Sequence, residues 1–447
     1  MKFNFSAINL GCNKNLVDTE FVIGKILSEN EKNNINFFSD PLDKKVEFII
    51  INTCGFLSSS REEAEETINY YDDLGKKIII TGCYLPVRDN EFLLRLKNLY
   101  LVLPMDEEIE NNIKKTLKEK VENFKNSKIN SYFQKINKTN INKKAFIWNG
   151  DSPRLPFNLS LGYEYVKISE GCDNRCSFCI IPQIRGNQKS REIEDIVKEI
   201  ENLVNLGAKE IEIISQDTTR YGIDLYEKPS LFALLEEIEK INLDFKFRLF
   251  YMYPDILTLD NLKKLKNFKK FIPYFDLPFQ HINPKILKRM GRFYDDKHIT
   301  SVLDFIKNNF KDAFIHTNFI VGFPGEQEKE FNDLLNFAEK FEFDSVSMFG
   351  YHDESLAASS KLDEKNDDKT IEKRVKKLAK VLDKIYEKKE ENRKGKEFIG
   401  YIYDFDDKNA QIREEKKAPE LDELDVVPIK NIQTGILGIG EKVNYIK

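Results

Sequence analysis

The ten residues Glu170–Cys179 read EGCDNRCSFC and contain three of the six cysteines in the chain. Three residues separate Cys172 from Cys176, and two separate Cys176 from Cys179. Thiolates at this spacing can hold three irons of a cubane cluster and leave the fourth iron open to a ligand. A zinc site is the alternative, but zinc normally takes four ligands and no fourth one is evident near the triplet. The segment therefore predicts a reactive iron–sulfur cluster.

Around this triplet, strand-like and helix-like runs alternate about six times from Tyr163 onward. The predicted strands are Tyr165–Ser169, Glu210–Ser215, Lys246–Tyr251, Phe271–Leu277, Phe314–Val321 and Ser345–Tyr351. Six βα units in succession predict a partial (β/α) barrel, and the triplet directly follows its first strand. Active sites of such barrels lie at the carboxyl ends of the strands. Ser190 is the predicted N-cap of the first helix after the triplet.

The other three cysteines each follow an apolar, strand-like run in the first part of the chain. The predicted elements are the strands Phe5–Leu10, Val46–Ile51 and Lys77–Thr81 and the helices Val17–Leu27 and Glu62–Tyr71. This alternation predicts a small parallel sheet, with ligands beyond the carboxyl ends of its strands. Cys12, Cys54 and Cys83 occupy those ends and could converge there, although a lone cysteine in such a place is more often a small buried apolar residue. A glycine stands beside each cysteine, which permits close backbone approach to a bulky cluster.

Length and composition bound the class of protein. A chain of 447 residues with 41% hydrophobic residues indicates two or three globular domains. The formal net charge of −5 excludes a general binder of polyanions. Apolar runs are too short to span a bilayer and the start lacks a signal-peptide pattern, so we expect a cytoplasmic protein without membrane contact. In a reducing compartment, six cysteines indicate metal ligands or catalysts rather than disulfides.

Local composition predicts three domains and one linker. The predicted ranges are 1–120 for the parallel α/β domain, 121–157 for a linker, 158–390 for the barrel and 391–447 for a small β-barrel. The segment Asp106–Lys144 is rich in charged residues and predicts a helix followed by a linker, and Thr370–Lys396 predicts another charged helix. The tail predicts short strands at Phe398–Tyr403, Gln411–Arg413, Val426–Ile429 and Val443–Ile446.

The triplet, with Phe178 before its last cysteine, resembles the signature of the radical S-adenosylmethionine superfamily over roughly Tyr163–Glu390. The resemblance implies that the open iron binds S-adenosylmethionine and that reductive cleavage gives a 5′-deoxyadenosyl radical that abstracts hydrogen. The cofactor contacts that we expect lie at Phe178 and, after the second strand, at Ser215, Gln216 and Asp217.

Other residues near the predicted barrel edge leave two interpretations open. Gly322 and Gly325 follow the fifth strand, where they predict either backbone approach to the cofactor or an ordinary turn. His281 is either a cofactor or substrate contact or a structural residue. Arg185 and Arg191 are expected to form surface salt bridges, with contact to a carboxylate or phosphate as the alternative.

The flanks of the first three cysteines, GCNKNLVDTE, NTCGF and TGC, resemble those of the methylthiotransferases. In that family the three motifs hold a second 4Fe–4S cluster used for sulfur insertion. The segments Gln216–Gly222 and Ala418–Asp422 resemble the RimO branch, which modifies a ribosomal protein, whereas Asn13 stands where that branch more often has proline. The segment Tyr351–Leu356 departs from the family pattern. The resemblance implies methylthiolation of the β-carbon of an aspartate in small-subunit ribosomal protein twelve and assigns no catalytic side chain.

The tail helps to distinguish a protein substrate from an RNA substrate. It resembles a TRAM domain, a module that usually binds RNA, yet residues 396–447 hold eight basic and eleven acidic residues, a net charge of −3. An acidic surface suits a basic ribosomal protein better than tRNA. We therefore expect a ribosomal protein as partner, with an electron donor such as flavodoxin or ferredoxin. The alternatives are a tRNA adenosine methylthiotransferase and a non-enzymatic iron–sulfur protein that binds the ribosome.

Overall fold

The computed structural model describes residues 2–30, 34–118 and 145–447. The chain forms two compact units. One comprises Met1–Pro156, Lys167–Asn174 and Cys179–Glu199, and the other comprises Phe157–Val166, Arg175–Phe178 and Ile200–Lys447. This division does not test the predicted domain ranges, which stay a prediction, and most of the predicted linker lies outside the described residues.

The first unit contains a five-stranded parallel sheet with the strand order β2-β1-β3-β4-β5. Its strands are β1 Phe3–Asn9, β2 Ile35–Phe37, β3 Phe48–Thr53, β4 Lys77–Gly82 and β5 Leu99–Val102. Its helices are α1 Asn13–Ser28, α2 Ser58–Asp73, α3 Asn90–Arg95 and α4 Ile109–Lys118. Every residue of β3 is buried, as expected for a central strand covered on both faces. The predicted parallel sheet is confirmed, and the two short edge strands β2 and β5 are additions to it.

The barrel strands form one six-stranded sheet in the order β13-β12-β11-β10-β9-β6. The strands from β6 to β13 are β6 Tyr163–Lys167, β7 Ser169–Glu170, β8 Lys189–Ser190, β9 Glu210–Ile214, β10 Lys246–Leu249, β11 Phe271–Asp276, β12 Phe314–Val321 and β13 Ser345–Gly350. The neighbours from β9 to β13 pair in parallel, so the predicted partial barrel is confirmed. The short strands β7 and β8 form a separate antiparallel pair in the first unit.

Helices alternate with the barrel strands. They are α5 Ile181–Arg185, α6 Ile193–Asn205, α7 Ile223–Tyr226, α8 Leu231–Lys240, α9 Leu259–Leu265, α10 Pro284–Arg289, α11 Asp296–Asn309, α12 Glu328–Phe341 and α13 Asp368–Glu391. Ser190 lies in β8, where it pairs with Ser169, and α6 begins three residues later at Ile193, so its role as N-cap stays a prediction. None of the described helices combines the length and the apolar character needed to cross a membrane.

The tail forms a five-stranded antiparallel sheet, consistent with the predicted small β-barrel. Its strands are β14 Glu397–Phe405, β15 Asn409–Glu414, β16 Asp425–Pro428, β17 Ile432–Thr434 and β18 Lys442–Ile446. Buried residues such as Ile402, Ile412 and Tyr445 form its core.

Buried charges join this tail sheet to the barrel within the second unit. Glu210 of β9 accepts hydrogen bonds from Arg248 of β10 and Arg413 of β15, both at 2.7 Å. Burial opposes ionisation of Glu210, but the two guanidinium groups outweigh it and lower its pKa. Glu420 accepts hydrogen bonds from the hydroxyls of Tyr163 and Tyr165 at 3.2 Å. The Ala418–Asp422 motif therefore contributes to this junction.

Candidate metal centres

Three cysteines converge at one edge of the parallel sheet. Cys12 directly precedes α1, Cys54 directly follows β3 and Cys83 directly follows β4. Burial is the largest cause that raises the pKa of the Cys83 thiol to about 11; the nearby Arg185 opposes this rise, and the nearby Cys12 and Cys54 add to it by charge repulsion. The topology thus brings together residues that lie far apart in sequence. Their role as cluster ligands stays a prediction.

A buried pair of asparagines sets the geometry of this edge. The Cys12 and Cys83 sulfurs lie 3.6 and 3.7 Å from Asn15 Oδ1. Asn15 Nδ2 donates hydrogen bonds to Asn52 Oδ1 at 2.9 Å and to the Thr53 carbonyl at 3.1 Å. Asn52 Nδ2 donates in return to the Asn15 carbonyl at 2.8 Å. Asn15 therefore ties the start of α1 to the end of β3, beside the thiols that follow.

The glycines beside the cysteines meet the other cysteine motifs at close range. A Cβ at Gly55 would lie 2.3 Å from the Cys83 carbonyl oxygen. Gly82 has a φ of +95°, and a Cβ there would lie 2.2 Å from Asn52 Oδ1. A side chain at either position would push the motifs apart. The expected need for glycine is therefore explained by contacts among the motifs themselves.

The donor set at this edge fits an iron–sulfur cluster. Thiolates are the ligands that such clusters use, and here the Cys12 and Cys83 thiols flank Asn15 while Cys54 lies within electrostatic range of Cys83. Within residues 2–30, 34–118 and 145–447, no three cysteine, histidine, aspartate or glutamate side chains are grouped so that they could hold a single metal ion. A four-iron cluster is larger than one ion and separates its ligands further.

Arg185 reaches this same edge, where it makes a contact with Cys83 that the sequence did not predict. Its side chain is 6% exposed, and its Nη1 lies 2.8 Å from Asp18 Oδ2. Its Nε donates to the Cys83 sulfur at 3.1 Å, and its Nη2 donates to Asn15 Oδ1 at 3.0 Å. No sequence signal links Arg185 to Cys83, which lies 102 residues away.

The expectation of surface salt bridges is wrong for both arginines after the triplet. Arg185 is buried as described, and the side chain of Arg191 is only 3% exposed. Arg191 pairs with Asp195 at 2.6 Å and with Glu199 at 2.5 Å. Both arginines therefore belong to the interior of the first unit.

The triplet begins in the first unit, immediately after β7. Cys172 is buried, and its backbone N–H donates to the Gly186 carbonyl at 3.1 Å. Gly171 has a φ of +76°, and a Cβ there would lie 2.5 Å from the Asn187 carbonyl oxygen. Glycine is thus required where the chain turns into the cysteine loop.

The middle of the triplet loop, Arg175–Phe178, belongs to the second unit and contacts the end of α10 within that unit. The Ser177 N–H donates to the Met290 carbonyl at 2.9 Å. Cys176 lies within electrostatic range of Arg292, whose guanidinium is 5.7 Å from the centre of the Phe178 ring. Phe178 also meets Phe323 edge-on, with 6.5 Å between ring centres. These contacts hold Phe178 in place, and its contact with S-adenosylmethionine stays a prediction.

The predicted cofactor residues after β9 lie in a turn closed by side-chain hydrogen bonds. Ser215 Oγ accepts a hydrogen bond from the Asp217 N–H at 3.0 Å. Asp217 Oδ1 accepts from the N–H and the hydroxyl of Thr219, at 3.0 and 2.6 Å. Gln216 lies half-buried between Ser215 and Asp217. The turn fixes all three at the carboxyl end of β9, and their contact with the cofactor stays a prediction.

Gly322 and Gly325 lie in a tight turn after β12. Their φ values are +82° and +90°, and a Cβ at either would come within 2.7 Å of Ile371 or Arg289. The buried Glu326 accepts a hydrogen bond from the Gly322 N–H at 2.9 Å. These contacts explain the glycines as turn residues, and a cofactor role for them stays a prediction.

His281 is fully buried beside this turn. Its Nε2 lies 3.2 Å from a carboxylate oxygen of Glu326, and its Nδ1 accepts from the Asn283 N–H at 2.9 Å. Both ring nitrogens therefore have protein partners, which favours the structural interpretation of this histidine.

Comparison with known proteins decides the family. Residues 166–338 match the model described as "Radical SAM superfamily", and residues 4–103 match "Uncharacterized protein family UPF0004". The "Ribosomal protein uS12 methylthiotransferase RimO" of Dictyoglomus thermophilum is 36% identical over 441 residues, which cover 98% of this chain and 95% of that protein. The chain belongs to the RimO methylthiotransferase family. The RimO protein of Carboxydothermus hydrogenoformans is 37% identical and covers 79% of this chain and 76% of its own length.

Membership of the RimO family confirms the predicted methylthiotransferase and its cofactors, 4Fe–4S clusters and S-adenosylmethionine. A solved radical S-adenosylmethionine methyltransferase, TsrM from Kitasatospora setae, shares the fold with a TM-score of 0.54. It is 12% identical and covers 78% of this chain and 73% of its own length.

Proposed function

We propose that this protein replaces a C–H bond by C–SCH₃ at the β-carbon of an aspartate in ribosomal protein uS12, the twelfth protein of the small subunit. The observation that carries the proposal is a similarity to RimO proteins that runs through nearly the whole chain, including both cysteine regions and the tail. The chemistry is the one expected from the sequence.

In this proposal the six cysteines act as two sets of ligands. Cys172, Cys176 and Cys179 hold the cluster that binds S-adenosylmethionine, and the N-terminal set, Cys12, Cys54 and Cys83, holds the second cluster. When bound, the first cluster would supply the electron for cleaving one S-adenosylmethionine to methionine and the radical that takes the hydrogen. A second S-adenosylmethionine would supply the methyl group, and the second cluster would supply or carry the sulfur. Ser215, Gln216 and Asp217 are the proposed cofactor contacts of the barrel, together with Phe178, Gly322 and Gly325.

The protein contributes by orienting groups and excluding water. The β-C–H bond of aspartate has no acidic proton, so a side-chain base cannot replace radical chemistry. Burial raises the pKa of the Cys83 thiol to about 11, so loading of the N-terminal site must release a proton from this thiol. The hydrogen bond between Asn15 and Asn52 fixes Asn15, whose side-chain oxygen lies beside the Cys12 and Cys83 sulfurs.

The tail offers an acidic surface that is smaller than its composition indicates. Asp425 is 2% exposed and pairs with Lys417 at 2.8 Å and Lys447 at 2.7 Å. Burial favours the neutral acid, but these lysines outweigh it and lower the pKa of Asp425 to about 2. The exposed acids include Asp404, Asp406 and Asp407, at the tip of the hairpin that joins β14 to β15. We propose that this tip faces basic segments of uS12 rather than tRNA.

The remaining partners follow from the chemistry. Reductive cleavage consumes electrons, so a small electron-transfer protein such as flavodoxin or ferredoxin is the proposed donor. The substrate is a component of the ribosome, which places the proposed reaction in the cytoplasm.

Mass spectrometry of uS12 and of tRNA from a deletion strain tests the substrate. We expect uS12 to lose the mass of one methylthio group at a single aspartate, with tRNA methylthioadenosine unchanged. Complementation with the wild-type gene should restore the modification, whereas the Cys176→Ala gene should not. Loss of the tRNA modification with uS12 intact would contradict the proposed substrate and favour the tRNA alternative.

A further inference from the structure

Four charged side chains form a closed network in the first unit. Lys167 Nζ lies 2.5 Å from Asp18 Oδ1 and 2.6 Å from Glu170 Oε2. Arg185 Nη1 lies 2.8 Å from Asp18 Oδ2 and 3.3 Å from Glu170 Oε2. All four side chains are at most 6% exposed. Two cations and two anions balance one another, so this network is neutral within itself.

Arg185 makes two contacts beyond this charge balance. The guanidinium has N–H donors in a rigid planar fork, so fixing one nitrogen orients the others. Asp18 and Glu170 fix Nη1, and Asn15 Oδ1 fixes Nη2 at 3.0 Å. The remaining nitrogen, Nε, then points at the Cys83 sulfur at 3.1 Å. The network thus holds a charged donor against a sulfur that the proposed function assigns to the second cluster.

The network also joins the two cysteine regions within this unit. Glu170 stands two residues before Cys172, and Arg185 ends α5, which begins two residues after Cys179. Asp18, by contrast, lies on α1, and this helix begins at the residue that follows Cys12. The segment that carries the triplet is therefore fastened to the edge of the parallel sheet through buried ion pairs.

We infer that Arg185 is a positioning residue that donates its Nε–H to the Cys83 sulfur when this sulfur ligates the second cluster, and that this bond raises the cluster's reduction potential. A hydrogen bond to a ligand sulfur withdraws electron density and stabilises the more negative, reduced cluster. The inference rests on the proposed function, because it requires a cluster at Cys12, Cys54 and Cys83. A residue that only packs near the site would leave the potential unchanged, and Arg185→Lys separates loss of the hydrogen bond from loss of the charge.

The test is a redox titration of the full-length protein, reconstituted anaerobically and monitored by electron paramagnetic resonance. Added S-adenosylmethionine perturbs the signal of the cluster that binds it and so identifies the other signal. For Arg185→Met we expect the second cluster to shift by at least about 59 mV to more negative potential, a tenfold change in the one-electron equilibrium. Arg185→Lys keeps the charge without the fork and should give a smaller shift.

The matched control is Arg191→Met. Arg191 is likewise a buried arginine of the same unit that pairs with two acidic side chains, Asp195 and Glu199. We expect the potential of the second cluster to stay unchanged in this variant. An unmoved potential in Arg185→Met, or an equal shift in Arg191→Met, would overturn the inference.

Iron analysis separates this inference from the proposed function. Wild-type protein with about eight irons establishes both clusters, and an unmoved potential then rejects the role of Arg185 alone. Wild-type protein with about four irons removes the second cluster and this inference with it. If Arg185→Met does not retain the second cluster, Arg185→Lys is titrated in its place, and an unmoved potential there rejects the inference.

Discussion

Replacing Asn15 by alanine is expected to empty the second cluster site while the triplet keeps its cluster. The Asn15 side chain is 1% exposed and holds three groups at once. Its amide donates to Asn52 and to the Thr53 carbonyl, and its oxygen accepts from Arg185. Alanine removes all three hydrogen bonds, so the buried groups of Asn52, Thr53 and Arg185 lose the partner that Asn15 provided.

The size of the effect follows from these bonds. A buried neutral hydrogen bond contributes about 1 kcal/mol net, and a bond to a charged group contributes about 1.5–3 kcal/mol. Two neutral bonds and one from a guanidinium therefore amount to roughly 3–5 kcal/mol. A loss of about 3 kcal/mol lowers the population of the ligand-ready arrangement by roughly a hundredfold. The Asn15→Ala protein should accordingly reconstitute only the triplet cluster.

The assay is iron and sulfide content after anaerobic reconstitution, with cofactor cleavage measured in parallel. We expect about eight irons in the wild type and about four in Asn15→Ala, with 5′-deoxyadenosine still produced. Asn36→Ala is the control, because Asn36 bonds another asparagine, Asn4, at 2.9 Å within the same sheet. Eight irons in a folded Asn15→Ala protein would refute the argument that this side chain sets the site.

Three further predictions concern the ligands, a glycine and the tail. Cys54→Ala should abolish methylthiolation but leave some 5′-deoxyadenosine formation, whereas Cys176→Ala should abolish both; equal losses in both assays would contradict the division of roles. Gly82→Ala should lower iron content towards four, because its φ is +95° and its Cβ would collide with a neighbouring side chain; full iron content would show that the loops can yield. Although burial opposes its ionisation, the pKa of Asp425 is lowered to about 2 by its lysines, so cluster-free protein should lose stability as the pH falls from about 4 to 2. Asp425→Asn should lower the thermal midpoint at pH 7 and flatten this loss, and an unchanged pH profile would exclude the ion pairs as its cause.

The strands that sequence patterns predict well are those with long apolar runs. Strand β12 has the predicted bounds, Phe314–Val321, and the other five barrel strands differ by only a few residues at their ends. In the first sheet the strands that were missed, β2 and β5, contain three and four residues and lie at its edges. Such short segments carry too few alternating or apolar positions to be distinguished from loops.

Convergence of the first three cysteines was predictable because parallel topology alone brings the carboxyl ends of strands to one edge. The contacts of the residues that surround these cysteines were not predictable. Asn15 and Asn52 belong to motifs that the sequence marks, yet only the structure shows that they bond each other across 37 residues. The sequence also did not show that glycine is needed for contacts among the motifs, because this need depends on how closely the three cysteine loops approach one another.

The buried charges at Arg185 require an explanation beyond stability. Removing charges from water costs several kcal/mol per ion, and a well-packed apolar cluster would often be at least as stable. The first unit contains a second buried network, in which Arg154 and Arg191 pair with Glu199. There the arginines donate to carboxylates, whereas Arg185 extends past its carboxylates to a cysteine sulfur. A cation held at this sulfur has a use only when the sulfur carries negative charge, which burial disfavours for a free thiol and which a cluster ligand requires. We therefore infer that the free energy spent on burying this network serves to orient one hydrogen-bond donor, Arg185 Nε, toward the second cluster.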